Sequence, residues 1–176
     1  MYAITSLAAE NMMLMYHRLY GLASCSLRIT NTYGPRHQMK KPYGIVNWFI
    51  RRVLDNEPIE VMGEGKILRD VLFVDDCVEA FLLAATNKKS HGQVFNVASG
   101  KGISFAEIAK AAIKASGSGR YKLVPYANMN RNLEPGSFIA SNDKIRKALG
   151  WKPKTALADG LAATINFYRK NKQHYW

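Results

Sequence analysis

Short apolar runs alternate along this sequence with longer segments whose apolar residues recur every three or four positions, and this alternation constrains its fold most. The run Val71-Leu72-Phe73-Val74 is typical of a buried strand, whereas residues 46–53 follow the helical period. Strands that alternate with helices predict an α/β fold. Because the strands are few and short and the first element is a helix, we interpret the chain as the second half of a larger unit.

The first helix is predicted to have a wide apolar face. One apolar stripe recurs at steps of three and four, and a second lies about 100° further around the helix. A face of this width predicts two packing neighbours. Gly21 is expected to end the helix, before a strand over residues 25–30 and a turn over residues 31–35. The first stripe is Ile4, Ala8, Met12, Met15, Leu19 and Leu22, and the second contains Met13, Tyr16 and Tyr20.

The remaining elements are predicted from the same periodicities and from helix-capping residues. Ser104 and Glu107 have the spacing of a capping box, and Asp75 and Asp76 are expected to cap the helix after the strand at residues 71–74. Further strands are predicted at residues 59–62, 94–97 and 121–124 and near Phe138, and helices at residues 46–53, 78–85, 104–113, 145–149 and 157–168.

Composition and spacing exclude several classes of protein. Hydrophobic residues make up 48% and charged residues 22% of the chain, which is typical of a folded globular protein. The net charge is +12, but the late lysines lie at several helix angles, so we expect a solvated face and no nucleic-acid partner. The two cysteines and four histidines lack metal-site spacing. No basic region precedes an apolar run, so we expect a cytoplasmic protein without a membrane segment.

Three motifs occur in a distinctive order: Tyr2-Ala-Ile-Thr-Ser-Leu-Ala-Ala-Glu10, Leu27-Arg-Ile-Thr-Asn-Thr-Tyr-Gly-Pro-Arg36 and Leu68-Arg-Asp-Val-Leu-Phe-Val-Asp-Asp76. With the tail segment at residues 142–153, they resemble the extended short-chain dehydrogenase/reductase family of NAD-dependent nucleotide-sugar epimerases and dehydratases. The resemblance implies the C-terminal part of a Rossmann-type fold with its small substrate-binding α/β subdomain. Residues 1–36 would belong to the Rossmann-type domain and residues 37–176 mainly to the subdomain, with further Rossmann-type elements near residues 66–98.

The glycine-rich turn of a dinucleotide-binding half does not occur in the sequence. That turn needs G-x-G-x-x-G, so that the backbone can approach a pyrophosphate at a helix N-terminus. Gly63-x-Gly65 and Gly100-x-Gly102 both lack the third glycine. We therefore expect the chain to match the family from its catalytic-tyrosine helix onward, without the part that holds the NAD pyrophosphate.

The resemblance assigns the family's catalytic and cofactor positions. Tyr2 matches the tyrosine of the Y-x-x-x-K motif, and Tyr2, Ile29 and Thr30 would contact NAD. The motif lysine, which lowers the pKa of the family's tyrosine and holds the nicotinamide ribose, is replaced by Ser6. A neutral hydroxyl does not supply that charge, and an exposed aromatic at a frayed terminus is the alternative interpretation of Tyr2.

Four further positions match the family's substrate contacts. Asn31 and Arg69 would contact the nucleotide diphosphate, with Arg131 as a second arginine and Glu134 on the ribose. The alternatives are a turn-forming role for Asn31 and a surface pair of Arg69 with Asp70. The sequence departs from the family at Ser137 and at residues 140–141, where acidic residues are common.

Two functions follow from this interpretation. The first is the nucleotide-sugar-binding portion of an NAD-dependent epimerase or dehydratase, inactive alone and not expected to bind NAD tightly. The second is a non-catalytic module that binds a nucleotide diphosphate or a partner. The apolar first helix predicts a homodimer or higher oligomer through residues 4–22, and a separate N-terminal half is a further candidate partner.

Overall fold

A computed structural model describes residues 2–41, 43–126 and 134–176 of the chain. Its helices are α1 (Tyr2–Tyr20), α2 (Ile45–Leu54), α3 (Val74–Thr86), α4 (Phe105–Ser116), α5 (Asp143–Leu149) and α6 (Leu157–Tyr175), with a short 3-10 helix at Lys88–Ser90. Its strands are β1 (Ser26–Ile29), β2 (Asn31–Tyr33), β3 (Ile59–Met62), β4 (Leu68–Phe73), β5 (Val94–Val97), β6 (Gly102–Ser104) and β7 (Tyr121–Val124). The architecture is α/β, as predicted.

The strands form three small sheets. Strands β1 and β5 pair in parallel, as do β3 and β7, while β4 lies between parallel β2 and antiparallel β6. The chain leaves the first sheet and enters the second at Thr30, between β1 and β2. Four of the seven strands in the described residues therefore meet around Thr30, because β1 pairs with β5 and β2 pairs with β4.

Two apolar clusters fill the interior, and β4 contributes to both. Val71 and Phe73 face the larger cluster, where α2, α4 and α6 pack together, while Leu72 faces the smaller one with α3, β5 and α5. Alternate side chains of a strand point to opposite faces, so β4 is buried on both sides. The predicted domain boundary after residue 36 stays a prediction.

Helix α1 has no buried residue. A bidentate ion pair joins Glu10 to Arg28 at 2.6 and 2.9 Å, and the Ser24 hydroxyl donates to the Met13 carbonyl at 3.4 Å. Leu19 is 65% exposed, and the first apolar stripe faces solvent along the helix. The predicted packing against two neighbours is therefore not seen in the described residues, although the helix itself and its end at Gly21 are confirmed.

One edge of β1 is also unpaired in the part of the chain that the structure describes. The N–H groups of Ser26 and Thr30 donate to Gln93 and Val97, so the backbone groups of the even residues face β5. In a parallel strand the intervening residues face the other way, which leaves the N–H and C=O groups of Leu27 and Ile29 on the open edge. Helix α1 and this edge lie on consecutive segments of the chain.

Three sequence predictions are corrected. Residues 31–33 form β2 and not a turn, because they pair with Val71–Phe73 of β4. Phe73 is the N-cap of α3, since β4 runs directly into that helix, and Asp76 instead accepts hydrogen bonds from the N–H groups of Lys154 and Thr155. Phe138 makes one bridge with Arg69 and no strand.

The cysteines are free: Cys77 is buried, and burial raises the pKa of its thiol, while Cys25 is half-buried. No helix among residues 2–41, 43–126 and 134–176 has the length and hydropathy needed to cross a membrane.

Candidate functional site

A cavity of about 630 Å³ lies where β1 ends and where β2 and β4 begin. It brings together five of the residues that the sequence assigned to a site, namely Tyr2, Ile29, Thr30, Asn31 and Arg69. Glu134 contacts this group through Arg69. The prediction for Arg131 lies outside the described residues.

Arg69 is a buried arginine, 9% exposed, and its guanidinium is held on several sides. Its Nη1 donates to the carbonyls of Gly136 at 2.6 Å and of Leu68 at 3.0 Å, while Nη2 pairs with a carboxylate oxygen of Glu134. The guanidinium carbon lies 5.0 Å from the centre of the Phe105 ring. These contacts fix the plane of the guanidinium at the cavity wall.

The alternative of a surface pair between Arg69 and Asp70 is wrong, because Asp70 is fully buried and bonds elsewhere. Its Oδ1 accepts from the Ser99 N–H at 2.8 Å and the Ser99 hydroxyl at 2.6 Å, and its Oδ2 accepts from the N–H groups of Gly100 at 3.0 Å and Ala140 at 3.3 Å. The Thr30 hydroxyl also reaches Oδ1, at 3.4 Å. Asp70 therefore ties the loop after β5 and the segment around Ala140 to the centre of β4.

Asn31 is half-buried on β2, and its amide donates to the Asp70 carbonyl at 3.3 Å. This bond holds the side chain between β2 and β4 at the cavity wall. The turn-forming alternative is excluded by the strand, and a role in phosphate contact stays a prediction.

Tyr2 lines the same cavity but is 83% exposed, and Ser6 one turn later is exposed as well. The tyrosine is thus placed beside Asn31 and Arg69, yet it belongs to a helix without buried residues. The start of α1 therefore places Tyr2 at the cavity wall, while the tyrosine ring stays largely exposed.

His37 and Tyr43 also line the cavity and were missed by the sequence reasoning. The Tyr43 N–H donates to His37 Nε2 at 2.9 Å, so a neutral ring carries its proton on Nδ1. Burial lowers the pKa of His37, and the Tyr168 hydroxyl donates to its backbone carbonyl at 2.8 Å. Metal-ligand spacing in the sequence does not reveal His37, because its partners are the Tyr43 backbone N–H and the Tyr168 hydroxyl of α6.

Ser137 is a further cavity residue, and it explains one departure from the family. Its hydroxyl accepts the N–H of Leu68 at 3.0 Å, which fastens the segment after Gly136 to the start of β4. The position that is commonly acidic in the family thus has a structural partner in this chain.

A second cavity, of about 530 Å³, includes Tyr126, Glu134, Gly63 and Ile67 in its lining. A Cβ on Gly63, where φ is +62°, would lie 2.6 Å from the Tyr126 ring, so glycine permits this close packing. The Tyr126 hydroxyl is buried and has no hydrogen-bond partner among the described residues. Its pKa is raised by burial and by the charge of Glu134.

The residues that the sequence assigns to NAD contacts could hold only a part of a dinucleotide. Ile29 and Thr30 end β1 beside Tyr2, but the Thr30 hydroxyl is shared between Asp70 and the Val97 carbonyl. The sequence holds no glycine-rich turn for a pyrophosphate. A cluster of His, Cys, Asp and Glu that could bind a metal ion is also absent from the described parts of the chain.

Comparison with known proteins identifies the family. A model of the NAD dependent epimerase/dehydratase family matches residues 1–98, more than half of the chain. The chain belongs to this family. The resemblance to extended short-chain dehydrogenase/reductases is thereby confirmed, and members of the family are NAD dependent by its description.

Individual relatives agree with this assignment. The UDP-glucose 4-epimerase of Mycolicibacterium smegmatis is 33% identical over 175 residues, covering 98% of this chain and 54% of its own length. The dTDP-glucose 4,6-dehydratase of Streptomyces niveus is 31% identical over 171 residues, with 97% and 49% covered. A crystal structure of UDP-glucose 4-epimerase from Thermotoga maritima with UDP-glucose is 32% identical with a TM-score of 0.84, with 97% and 54% covered. The chain spans about half the length of these relatives.

Proposed function

We propose that this chain is the nucleotide-sugar-binding portion of an NAD-dependent nucleotide-sugar epimerase or dehydratase. The observation that carries the proposal is that Tyr2, Asn31 and Arg69 line the same cavity. Its volume of about 630 Å³ lies within the range of small-molecule sites. Three residues from separate parts of the sequence, all assigned to the same substrate, thus lie around one cavity.

Arg69 is the proposed diphosphate contact. A guanidinium offers two parallel N–H donors to a pair of anionic oxygens, and burial strengthens such charge-assisted hydrogen bonds. The Glu134 carboxylate already accepts a hydrogen bond from Nη2 of this group, which supports its suitability for an oxyanion. A diphosphate at Arg69 would direct the sugar toward Asn31 and Tyr2 in the first cavity and the nucleoside toward Tyr126 in the second.

We further propose that the chain alone is catalytically inactive. Tyr2 would take the substrate hydroxyl proton, but Ser6 supplies no positive charge beside it, and the sequence has no turn for the NAD pyrophosphate. Catalysis would require residues that hold the dinucleotide, which this chain's own residues do not provide.

The test is titration calorimetry of the chain with UDP and with dTDP. Arg69→Lys is expected to weaken binding by about tenfold, because lysine keeps the charge but loses the planar pair of donors. Arg146→Lys is the matched control, since Arg146 pairs with Asp143 on an exposed face, and its affinity should change by less than about twofold. Unchanged affinity in Arg69→Lys would remove the diphosphate assignment, and NAD binding or turnover of UDP-glucose by the chain alone would remove the proposed inactivity.

The second candidate function is a non-catalytic interaction module, and the bare surface of α1 favours it. We propose that residues 4–22 form the contact of a homodimer or higher oligomer, because burying apolar surface contributes about 25 cal/mol per Å². The open edge of β1 supports a different partner, a separate N-terminal half that adds a strand beside Leu27 and Ile29. The oligomeric state and the effect of an added N-terminal half on it distinguish the two.

A further inference from the structure

The one anion that contacts the proposed diphosphate arginine in the described structure belongs to the protein itself. Glu134 pairs with Arg69 through Oε1, and the same oxygen accepts the Gly136 N–H at 3.1 Å. Both side chains are largely buried, with 11% of the Arg69 side chain and 19% of the Glu134 side chain exposed. A diphosphate that binds Arg69 therefore meets a carboxylate already in place.

Glu134 also has a second group within its own cavity. Tyr126 lines that cavity with it, and the buried Tyr126 hydroxyl lacks a partner among the described residues. A phenol O–H is a good donor to a carboxylate, and an unpaired buried donor is costly. The hydroxyl is thus a ready partner for Glu134 once the carboxylate has left Arg69.

We propose that Glu134 is an internal competitor of the substrate diphosphate, holding Arg69 in the free protein and moving to the Tyr126 hydroxyl when a diphosphate takes its place. The proposal rests on the proposed function, because it requires Arg69 to bind the diphosphate. It assigns Glu134 a role in setting affinity, in contrast to the ribose contact that the family resemblance implies.

The two roles of Glu134 predict opposite results. A ribose contact stabilises the bound nucleotide, so its removal weakens nucleotide binding and leaves inorganic pyrophosphate unaffected. A competitor lowers the affinity for the ligand, because the ligand must displace it and two anions repel at short distance. Its removal therefore tightens both ligands, and pyrophosphate is the cleaner probe because it has no ribose.

The experiment is calorimetric titration of inorganic pyrophosphate and UDP into the wild-type chain and four variants. Glu134→Gln should tighten both ligands by about tenfold, since the neutral amide keeps the shape and loses the charge. Glu60→Gln is the control, because it removes the same charge from an exposed pair with Lys122 and should have little effect. Tyr126→Phe should bind about threefold more weakly than the wild type. The double variant Glu134→Gln/Tyr126→Phe should bind as tightly as Glu134→Gln alone.

The outcomes separate this inference from the proposed function. If the wild type binds and depends on Arg69, but Glu134→Gln binds equally or more weakly, the competition is wrong and the proposed function stands. Equal tightening by Glu60→Gln, or a Tyr126→Phe effect that persists in the double variant, also overturns the competition. If no variant binds pyrophosphate or UDP, both proposals are wrong. Circular dichroism of each variant establishes that the chain is folded.

Discussion

Replacing Asp70 by Asn should destabilise this protein more than its small change in shape suggests. The carboxylate is fully buried, and its Oδ2 accepts the N–H groups of Gly100 and Ala140. An amide nitrogen at either carboxylate position faces hydrogen-bond donors, because Oδ1 also accepts from Ser99 and Thr30. Asparagine with its nitrogen at the Oδ2 position leaves the N–H groups of Gly100 and Ala140 without an acceptor. With its nitrogen at the Oδ1 position it leaves the Ser99 N–H without one, since the hydroxyls of Ser99 and Thr30 also reach the carbonyls of Lys101 and Val97.

The magnitude follows from these contacts. A buried polar group without its partner costs about 1–3 kcal/mol, so the less costly orientation, with one such group, gives a loss of about 2 kcal/mol. With a urea m-value of about 2 kcal/mol per M, the unfolding midpoint should fall by about 1 M. Domains of this kind are stable by about 5–15 kcal/mol, so the variant should stay folded and its loss of stability should be measurable.

The assay is urea unfolding followed by circular dichroism, with Asp143→Asn as the matched control. Asp143 is exposed and bonds to Ser141 and Arg146, so its variant should lose less than about 0.5 kcal/mol. Amide hydrogen exchange adds a local measurement, since either the Ser99 N–H or the N–H groups of Gly100 and Ala140 should exchange faster in Asp70→Asn. A variant within 1 kcal/mol of the wild type would refute the role of Asp70 as the group that holds these two segments.

Three further predictions concern α1, the α4 cap and the second cavity. Met15→Glu should convert an oligomer to a monomer in sedimentation analysis, because it places a charge in the 4–22 contact. Leu82→Glu, at an exposed position of α3, is the control and should leave the oligomer unchanged. A folded wild-type monomer at tens of micromolar would contradict the proposed contact. Ser104→Ala should cost about 1 kcal/mol at pH 7 in urea unfolding. Hydrogen bonds from Ser104 lower the pKa of Glu107, so the part of the cap that the Glu107 carboxylate makes is present above the ordinary carboxylate pKa and lost as pH falls through the lowered one. The bond from the Glu107 N–H to the Ser104 hydroxyl remains, so Ser104→Ala should cost less in strong acid, and an equal effect there would contradict this. Gly63→Ala should destabilise by about 1 kcal/mol and weaken UDP binding, because its Cβ meets the Tyr126 ring; an unchanged unfolding midpoint would contradict the packing.

The sequence predicted the elements whose periodicity is long or whose caps are specific. Helix α4 is an example, since the Ser104 and Glu107 capping box is present in the structure. Strand β2 was missed because three residues that include Asn31 have no periodicity, and only the pairing with β4 makes them a strand. Local signals therefore predict local structure, and short strands depend on partners elsewhere in the chain.

The candidate site was predicted by family resemblance and not by residue spacing. Arg69 and Glu134 lie 65 residues apart in sequence, and nothing near either residue indicates that they form an ion pair. Asp70 follows Arg69 in the motif, but its partners Ser99, Gly100 and Ala140 come from two later segments. Buried polar networks join distant segments, so sequence reasoning can identify their members without their connections.

The residues proposed for binding and for catalysis are held in different ways in this chain, and we expect this difference to decide which of the two roles the chain can perform alone. Arg69 is held by the carbonyls of Leu68 and Gly136, and Asn31 by the Asp70 carbonyl, all of which belong to the described fold. Tyr2 has no comparable support, because its helix buries no residue and its ring is almost fully exposed. A catalytic group must be held close to its productive geometry, whereas a ligand site needs only its own walls. The proposed diphosphate site should therefore persist in the isolated chain, while the proposed catalytic orientation of Tyr2 should require a partner that covers α1.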